Sequence, residues 1–346
     1  SSLNQPEDAV ALAARIISEV SRPYEIEGQR VVIGASVGIA IAPHDGNEAD
    51  QLLRNADLAL YRSKSEGRGR YRFFEAEMNA IMQARHSLEN DLRRALSENQ
   101  FEVFYQPFIE VKSGETSGFE ALLRWRHPVR GLVPPDAFIA LAEELGLISA
   151  IGDFVLMRAC TEATHWPPHV KLALNLSPSQ IANSDIHASV MKALRSSGLT
   201  PSRLELEITE TVLLQDNVKT MEILGKFQEI GIKIAMDDFG TGYSSLSYLC
   251  KFPFNKVKID KSFISHLDHD GPNSAIVYGI LKLCASLDVE TTAEGVETEQ
   301  QLALLTAAGC TTVQGFLFSR AKPASEALSL IKPWLGEQAL EADAVA

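Results

Sequence analysis

The stretch GIKIAMDDFGTGYSS, residues 231–245, indicates both the fold and the chemistry of the protein. Residues 232–236 are largely apolar, have the length of a strand and follow a turn-forming glycine, so they predict a buried β-strand. Two adjacent carboxylates, Asp237 and Asp238, end this run, and a loop rich in glycine and hydroxyl groups follows. Adjacent buried carboxylates repel each other unless cations offset their charge. The stretch therefore predicts either a divalent metal site at a strand end, or an Asp pair that caps a helix or faces water.

Length and composition restrict the class of protein. The chain has 346 residues, enough for one large barrel domain or for a barrel plus a fragment. A hydrophobic content of 45% and a charged content of 22% are ordinary for a soluble globular protein. The formal net charge of −13 argues against a general nucleic-acid or anionic-membrane surface. An anionic substrate would therefore need bound metal and a few local Arg or Lys residues.

The spacing of the cysteines and the length of the apolar runs indicate in which compartment the protein is located. Four cysteines are dispersed without a Cys-x-x-Cys pair, so reduced thiols are expected rather than a zinc knuckle or a disulfide framework. The longest apolar run, residues 31–42, is too short to span a bilayer. We expect a cytoplasmic protein without membrane contact by this part of the chain. The abrupt start without a signal peptide leads us to expect upstream sequence, in which a membrane tether remains an open alternative.

The first hundred residues predict an incomplete α/β block followed by a connecting helix. A basic strand at residues 68–74 superficially suggests an RNA-binding surface, but the acidic balance favours a solvated turn. The block is too small, and too rich in strand edges, for a finished domain. The predicted elements are a helix at 6–20, a hairpin turning at 27–28, a strand at 35–42, a helix at 48–65, a strand at 71–74 and a charged amphipathic helix at 75–98.

From residue 101 onward, strand-like runs recur, each followed by a helical segment. Eight interleaved strands over about 230 residues favour a (β/α)₈ barrel of the TIM type over an open doubly wound sheet. No Gly-x-Gly-x-x-Gly follows the first strand, which also disfavours the open sheet. The predicted strands are 101–105, 117–123, 170–176, 204–208, 232–236, 256–259, 290–293 and 312–316. The predicted helices are 135–144, 152–165, 187–197, 218–230, 244–249, 274–287 and 298–308.

Polar side chains recur at the ends of these strands, where such barrels carry their catalytic groups. So many carboxylates at one rim require metal, and hard oxygen ligands select Mg²⁺, Mn²⁺ or Ca²⁺. Two divalent ions about 4 Å apart are the usual arrangement for attack on a phosphodiester. The residues are Gln106, Glu120, Arg124, Asn175, Glu207, Asp237, Asp238, Lys258, Asp260, Glu294, Glu297 and Gln314.

Each of these residues also has an ordinary structural explanation. Glu120 and Glu207 fit exposed strand positions, and Asn175 fits a helix cap. Lys258 could lie at the edge of the sheet, with its ammonium group in water. Their recurrence at the ends of successive strands favours a shared site over these separate explanations.

Motifs in both parts of the chain resemble known families. From about residue 85 to 333, the chain resembles the EAL family of cyclic di-GMP phosphodiesterases. The motifs that carry this resemblance are YQP at 105–107, FEALLRW at 119–125, NLS at 175–177, EITE at 207–210, DDFGTG at 237–242, KID at 258–260, EGVE at 294–297 and QGF at 314–316. Upstream, the C-terminal half of a GGDEF (diguanylate cyclase) domain is resembled by ASVGIA at 35–40, LLRNADLALY at 52–61 and GRGRY at 67–71.

The resemblance implies a division of the chain and excludes one activity. It implies a partial GGDEF-like domain at 1–75, a connecting helix at 76–99, an EAL phosphodiesterase barrel at 100–333 and a C-terminal tail at 334–346. The half of a cyclase that holds the GG(D/E)EF signature lies outside this sequence. Cyclase activity of this fragment is therefore not expected.

The resemblance also implies an activity and its cofactors. We expect metal-dependent hydrolysis of cyclic di-GMP to linear pGpG with two Mg²⁺ or Mn²⁺ ions per active site, and inhibition by Ca²⁺. Cyclic di-GMP would be the small-molecule partner, the protein would act as a homodimer, and no nucleic-acid polymer would bind.

Residue roles follow from the matching positions of the motifs. Glu120, Asn175, Glu207 and Asp237 would hold the first metal, and Asp237 would bridge to a second metal shared with Asp238 and Glu294. Lys258 would orient the attacking water and offset developing charge. Arg124, whose planar fork suits a phosphate or a guanine edge, would bind substrate with Gln106, Asp260, Glu297 and Gln314. Glu210 would anchor a mobile loop at 238–248.

Two rival functions are weighed against this reading. A catalytically silent sensor of cyclic di-GMP needs fewer metal ligands, so the complete carboxylate set disfavours it. The sequence Asp238-Phe239-Gly240 also occurs in protein kinases, but no His-Arg-Asp loop or glycine-rich loop accompanies it here.

Overall fold

The helices and strands of the chain form two compact units, Ser1–Asp91 and Leu92–Ala346. The computed structural model describes residues 6–26, 28–183, 185–214, 217–240, 252–267 and 271–331. Helix α3 (Glu77–Ala95) contains the division between the units. The helix predicted at 244–249, most of the loop predicted at 238–248 and the C-terminal tail lie outside the described residues. Within the described residues, no helix combines the length and apolarity needed to cross a bilayer.

The first unit contains the predicted order of elements. Its elements are α1 (Glu7–Val20), β1 (Tyr24–Ile26), β2 (Gln29–Val31), β3 (Val37–Ile39), α2 (Ala49–Ser65) and β4 (Tyr71–Phe73). β1 and β2 form the predicted antiparallel hairpin, and β3 pairs with β4 in parallel. The strand predicted at 35–42 is shorter than expected. At its centre, Gly38 packs backbone against backbone on α2, because a Cβ there would lie 2.0 Å from the carbonyl oxygen of Ala56.

The second unit contains ten strands and ten further α-helices within the described residues. The strands are β5 (Phe101–Glu110), β6 (Thr116–His127), β7 (Gly131–Val133), β8 (Lys171–Leu176), β9 (Leu204–Thr209), β10 (Lys233–Phe239), β11 (Lys256–Ile259), β12 (Glu290–Ala293), β13 (Thr312–Val313) and β14 (Lys322–Pro323). The helices are α4 (Ile139–Glu144), α5 (Ile148–Ala163), α6 (Pro178–Asn183), α7 (Ile186–Ser197), α8 (Glu210–Leu214), α9 (Asn217–Glu229), α10 (Lys261–Ile264), α11 (Pro272–Ser286), α12 (Glu299–Ala307) and α13 (Ala324–Ala327).

Eight of these strands close into a barrel. The order around it is β5-β6-β8-β9-β10-β11-β12-β13, and β13 pairs back onto β5. The strands from β6 to β13 run parallel to their neighbours in this series, whereas β5 is antiparallel to both β6 and β13. The predicted barrel class is confirmed.

The expectation that a helix follows every strand is wrong for the first strand. β5 leads directly into β6 through a tight turn, in which the amide of Gly114 donates to the carbonyl of Glu110 at 2.8 Å. Strands joined by so short a turn must be antiparallel, because a parallel pair needs a crossover connection.

The core fills the barrel and the layer between strands and helices. Because the parallel strands are covered on both faces, their apolar side chains are buried, and so are the glutamates that alternate with them in β9. Leu204, Leu206 and Ile208 of β9 are all fully buried. At the start of the barrel, the ring of Trp166 packs on Tyr105 and Phe119, with ring centroids 5.3 and 4.9 Å away.

A buried ion pair closes the end of the barrel where the parallel strands begin. Lys256 Nζ lies 2.8 Å from Glu205 Oε1, and the two side chains are 5% and 3% exposed. The same ammonium lies 5.2 Å from the ring centroid of Phe108, and a cavity of about 180 Å³ adjoins the pair. Removing one partner of such a pair leaves an uncompensated buried charge.

Glu205→Leu is expected to lower the free energy of unfolding of the barrel by about 3–5 kcal/mol, because Lys256 is left buried without its partner. The double variant Glu205→Leu/Lys256→Met should recover most of this loss. Denaturant unfolding followed by tryptophan fluorescence reports on this unit, since all three tryptophans of the sequence fall in residues 92–346.

The matched control is Glu326→Leu, which removes the partner of Lys322 in an exposed pair at 3.0 Å. It should change the same free energy by less than about 1 kcal/mol. Equal stability of Glu205→Leu and the wild-type protein would contradict the role given to the buried pair.

Candidate active site

Side chains from successive strands converge where the parallel strands end. The centre is Lys258 of β11, which is 1% exposed. Its Nζ lies 2.6 Å from Glu294 Oε1 and 2.7 Å from Glu207 Oε2. It also lies 3.2 Å from Asp237 Oδ1 and 3.8 Å from Glu120 Oε2. One ammonium group therefore faces four carboxylates, brought together because parallel strands end at the same rim of a barrel.

Glu120 connects this cluster to two amide side chains. Asn175 of β8 donates through Nδ2 to Glu120 Oε1 at 2.6 Å, and Gln314, just after β13, donates through Nε2 to Glu120 Oε2 at 2.8 Å. Both oxygens of the carboxylate are thereby oriented. Glu120 lies within β6 and pairs with Gln106 of the antiparallel strand β5.

A distortion of β10 brings two adjacent carboxylates to one place. Successive residues of a regular strand point to opposite faces, but the register between β10 and β11 shifts between Met236 and Phe239. Asp238 has φ of +53°, the left-handed conformation that is uncommon for a residue other than glycine. Its amide donates to Asp237 Oδ1 at 2.9 Å. As a result, Asp237, Asp238 and Glu294 each offer an oxygen, all within 4.8 Å of one another.

Burial and mutual repulsion govern the protonation of the cluster. Burial raises the pKa of Glu207 well above its usual range, and Lys258 offsets this only in part. Burial also raises the pKa of Glu294 to about 8 and that of Asp238 above its ordinary value. Burial alone would lower the pKa of Lys258, but the carboxylates around it, Glu120 first, raise it well above its usual value. The cluster thus has more acidic groups than its lysine can neutralise.

The donor set fits a divalent cation. Glu207 Oε1 and Gln314 Oε1 are buried side-chain oxygens that accept no hydrogen bond from any described residue. A buried oxygen without a partner is costly unless another group satisfies it. Carboxylate and amide oxygens are ligands that Mg²⁺, Mn²⁺ and Ca²⁺ prefer. The orphaned oxygens and the acidic group at Asp237 therefore match the chemistry of a bound cation.

Lys258 and three of its carboxylate neighbours line an open cleft of about 380 Å³, a size within the range of small-molecule sites. The described residues that line it are Gln106, Glu120, Leu122, Asp237, Lys258, Lys261, Glu294, Gly295, Glu297, Gln314, Gly315 and Phe316.

Models of two known protein families match the chain. The model of the family described as "EAL domain" matches residues 89–321, about two thirds of the sequence. The chain belongs to the EAL domain family. A second model, "Diguanylate cyclase, GGDEF domain", matches residues 1–70.

Relatives of this EAL protein include named enzymes. The chain is 46% identical over 320 residues to an uncharacterized signaling protein of Caulobacter vibrioides, covering 92% of this chain and 40% of that protein. It is 44% identical over 331 residues to the bifunctional diguanylate cyclase/cyclic di-GMP phosphodiesterase MucR of Pseudomonas aeruginosa, covering 94% of this chain and 48% of MucR. The chain thus spans less than half the length of these curated relatives.

A solved structure described as a PaMucR phosphodiesterase in complex with c-di-GMP has the same fold. It is 43% identical to this EAL protein, with a TM-score of 0.68, and the match covers 70% of this chain and all of that chain.

The predicted substrate-binding residues of the EAL barrel lie in different positions. Gln106 and Glu297 line the cleft, and Gln106 Nε2 donates to the carbonyl of Ser319 at 3.1 Å. Arg124 and Asp260 are not among the described residues that line it. Arg124 is half-buried above Phe104, 5.8 Å from its ring centroid. Asp260 accepts from the amide of Ser262 and caps α10. Their substrate-binding roles stay predictions.

The predicted loop anchor contacts the start of its loop. The Oε1 atom of Glu210 accepts from the amide of Gly240 at 3.1 Å. The loop beyond Gly240 is outside the described residues, so an anchoring role for Glu210 stays a prediction.

Sequence reasoning did not select Lys261 or Phe316, both of which line the cleft of the EAL barrel. Lys261 begins α10 and directly follows the KID motif, but an exposed lysine at a helix start carries no distinctive signal. Phe316 was assigned to a strand at 312–316. That prediction is wrong beyond Val313, because the amides of Phe318 and Ser319 both donate to the carbonyl of Gly315 and form a turn.

Adding Mg²⁺ at about 100 times its dissociation constant should raise the free energy of unfolding of the barrel by about 2.7 kcal/mol, since the ion binds only the folded state. Glu207→Gln removes the negative charge of the carboxylate that carries an orphaned oxygen, and it should abolish most of this gain. Unfolding of metal-free and Mg²⁺-loaded protein, followed by tryptophan fluorescence, measures both quantities.

Glu290→Gln, at the opposite end of the barrel, should retain the full gain. A wild-type protein that Mg²⁺ does not stabilise, or a Glu207→Gln variant stabilised as much as the wild-type protein, would contradict the metal fit.

Proposed function

We propose that this chain is a metal-dependent phosphodiesterase that hydrolyses cyclic di-GMP to linear pGpG. The observation that carries the proposal is the acidic cluster around Lys258, which combines four buried or half-buried carboxylates with orphaned oxygens. The relatives named as cyclic di-GMP phosphodiesterases and the related structure in complex with c-di-GMP support the choice of substrate.

The residues that would hold metal are those that the family resemblance implies. Glu120, Asn175, Glu207 and Asp237 would bind one Mg²⁺ or Mn²⁺ ion, and Asp237, Asp238 and Glu294 a second. Bound ions of this kind supply Lewis acidity and lower the pKa of water. A larger Ca²⁺ ion would bind the same oxygens and inhibit, because it tolerates looser geometry than Mg²⁺.

The remaining residues would position the substrate and manage charge. Lys258 is held by its four carboxylate neighbours, and it would place positive charge where negative charge develops on the phosphoryl oxygens. Gln106, Glu297 and Gln314 would contact the ligand within the cleft. From beyond the cleft, Arg124 would contact a phosphate or a guanine edge of the ligand, and Asp260 would lie beside the ligand or behind the residues that contact it.

The proposal also covers the domain boundaries, the oligomeric state and the location of the protein. The domain boundaries at 1–75, 76–99, 100–333 and 334–346 remain a prediction, as does closure of the loop at 238–248. We further propose a homodimer in the cytoplasm that binds no nucleic-acid polymer and makes no membrane contact through this part of the chain. The activities and partners of the longer protein are proposals, because the chain spans less than half of its curated relatives.

The proposal is tested by incubating this chain with cyclic di-GMP and separating the products by chromatography. Formation of pGpG with Mg²⁺ or Mn²⁺, and its loss with excess chelator, is the expected result. Tight binding without turnover under all metal conditions would instead identify a sensor module and overturn the enzymatic proposal.

Glu120→Gln should lower kcat at least about 100-fold, because it removes one charge from the site while keeping the side chain's shape. Steady-state hydrolysis of cyclic di-GMP measures the loss, and denaturant unfolding verifies that the fold is retained.

The control for Glu120→Gln is Glu102→Gln, on the adjacent strand β5, whose side chain forms an exposed ion pair with Arg126. It should keep wild-type activity. Full activity of Glu120→Gln would exclude the proposed metal role of this carboxylate.

A further inference from the structure

A buried carboxamide lies in the first turn of α12. Gln301 is 9% exposed, and both ends of its carboxamide form hydrogen bonds. Its Oε1 accepts from the amide of Glu297 at 2.8 Å and from the amide of Thr298 at 3.1 Å. Its Nε2 donates to the carbonyl of Ile264, the last residue of α10, at 2.9 Å. One side chain therefore joins the segment after β12 to the helix after β11.

Helix capping explains only part of this arrangement. In a capping box, the N-cap hydroxyl accepts from the amide of the third helical residue, whose side chain accepts from the N-cap amide. Thr298 and Gln301 form both of these bonds. The bonds from Gln301 to Glu297 and to Ile264 are additional to the capping box. Gln301 therefore does more than cap α12.

The position of the Glu297 side chain depends on its backbone. Glu297 lines the cleft, and its carboxylate forms no hydrogen bond or ion pair with another residue that the structure describes. Val296 before it is held by backbone hydrogen bonds with Gln314 and Leu317. The amide of Glu297 donates instead to the side chain of Gln301. The place where Glu297 enters the cleft therefore depends on that buried side chain.

The same segment packs closely on α10. Gly295 has φ of +71°, and a Cβ on it would lie 2.6 Å from the Cβ of Lys261. Lys261 and Glu297 both line the cleft, so the spacing of these two loops affects its shape. The bond from Gln301 to Ile264 ties the two loops together at the other end of α10.

We propose that Gln301 is a positioning residue of the active site, which holds Glu297 at the cleft by accepting from its amide. This inference rests on the proposed function and adds a residue that acts on the ligand only through another. Glu297 is proposed to contact cyclic di-GMP and is not one of the carboxylates around Lys258. Loss of the Gln301 oxygen should therefore weaken substrate binding and leave the chemical step nearly unchanged.

Steady-state hydrolysis of cyclic di-GMP compares the wild-type protein with three variants. Gln301→Met has a similar length but only a weak acceptor, so its KM should rise about 10-fold with kcat within about 3-fold of wild type. Gln301→Glu keeps an acceptor that capping boxes favour, and its KM should stay within about 3-fold of wild type. The matched control is Thr298→Ala, which breaks the other bond of the capping box and should keep the wild-type KM.

A double-mutant cycle tests whether Gln301 acts through Glu297. In a Glu297→Ala background, Gln301→Met should raise KM less than about 2-fold, because the side chain that it positions is absent. An equal rise in both backgrounds, or a wild-type KM in Gln301→Met, would overturn the positioning role. A KM of Gln301→Glu as high as that of Gln301→Met would also contradict it. Denaturant unfolding verifies that each variant is folded, and Gln301→Asn, whose carboxamide is one methylene too short, replaces Gln301→Met if that variant does not fold.

Hydrogen exchange of the Glu297 amide separates this inference from the proposed function, because it requires no ligand. In Gln301→Met this amide should exchange at least about 10-fold faster than in the wild-type protein, since its acceptor is lost. Unchanged exchange would overturn the positioning role whatever the activity. Wild-type protein that neither binds nor hydrolyses cyclic di-GMP would contradict the proposed function, and faster exchange in Gln301→Met would still support the hold of Gln301 on Glu297.

Discussion

The ammonium group of Lys258 is the interaction on which the site depends. It is fully buried and contacts carboxylates from four different places on the barrel rim. A second Lys–Glu pair repeats the arrangement two residues earlier on the same strands, where Lys256 meets Glu205. β9 and β11 are separated by β10, so these pairs cross the barrel interior between alternate strands, as the layers of such barrels do. Slipping either strand by one residue would turn both pairs to the opposite face.

The site combines this regular register with one local departure from it. The bulge at the end of β10 and the left-handed backbone of Asp238 turn two adjacent carboxylates toward one another. Such a conformation costs about 1–3 kcal/mol and persists only where the surroundings enforce it. The amide of Asp238 contributes by bonding Asp237, and Glu210 holds the next turn at Gly240. Bound cations would relieve the repulsion that this geometry creates.

Much of this architecture follows from the sequence, for identifiable reasons. Strand-length, largely apolar runs and glycine punctuation predict all eight barrel strands, because both faces of a barrel strand are buried. Periodicity carries no information on strand direction, so the antiparallel first strand is not predicted. Polar residues at strand ends predict the cluster, because strand order alone places them at one rim. Phe316 and Lys261 lie in a turn and at a helix start, where exposed residues show no periodic pattern and only tertiary structure shows that they line the cleft.

The central claim is that the carboxylates around Lys258 bind divalent metal. The most direct measurement is anomalous X-ray scattering from crystals of this chain grown with Mn²⁺. The account predicts two Mn²⁺ peaks, one among the oxygens of Glu120, Asn175, Glu207 and Asp237 and one among those of Asp237, Asp238 and Glu294. Crystals saturated with Mn²⁺ that show no peak at these oxygens would contradict it.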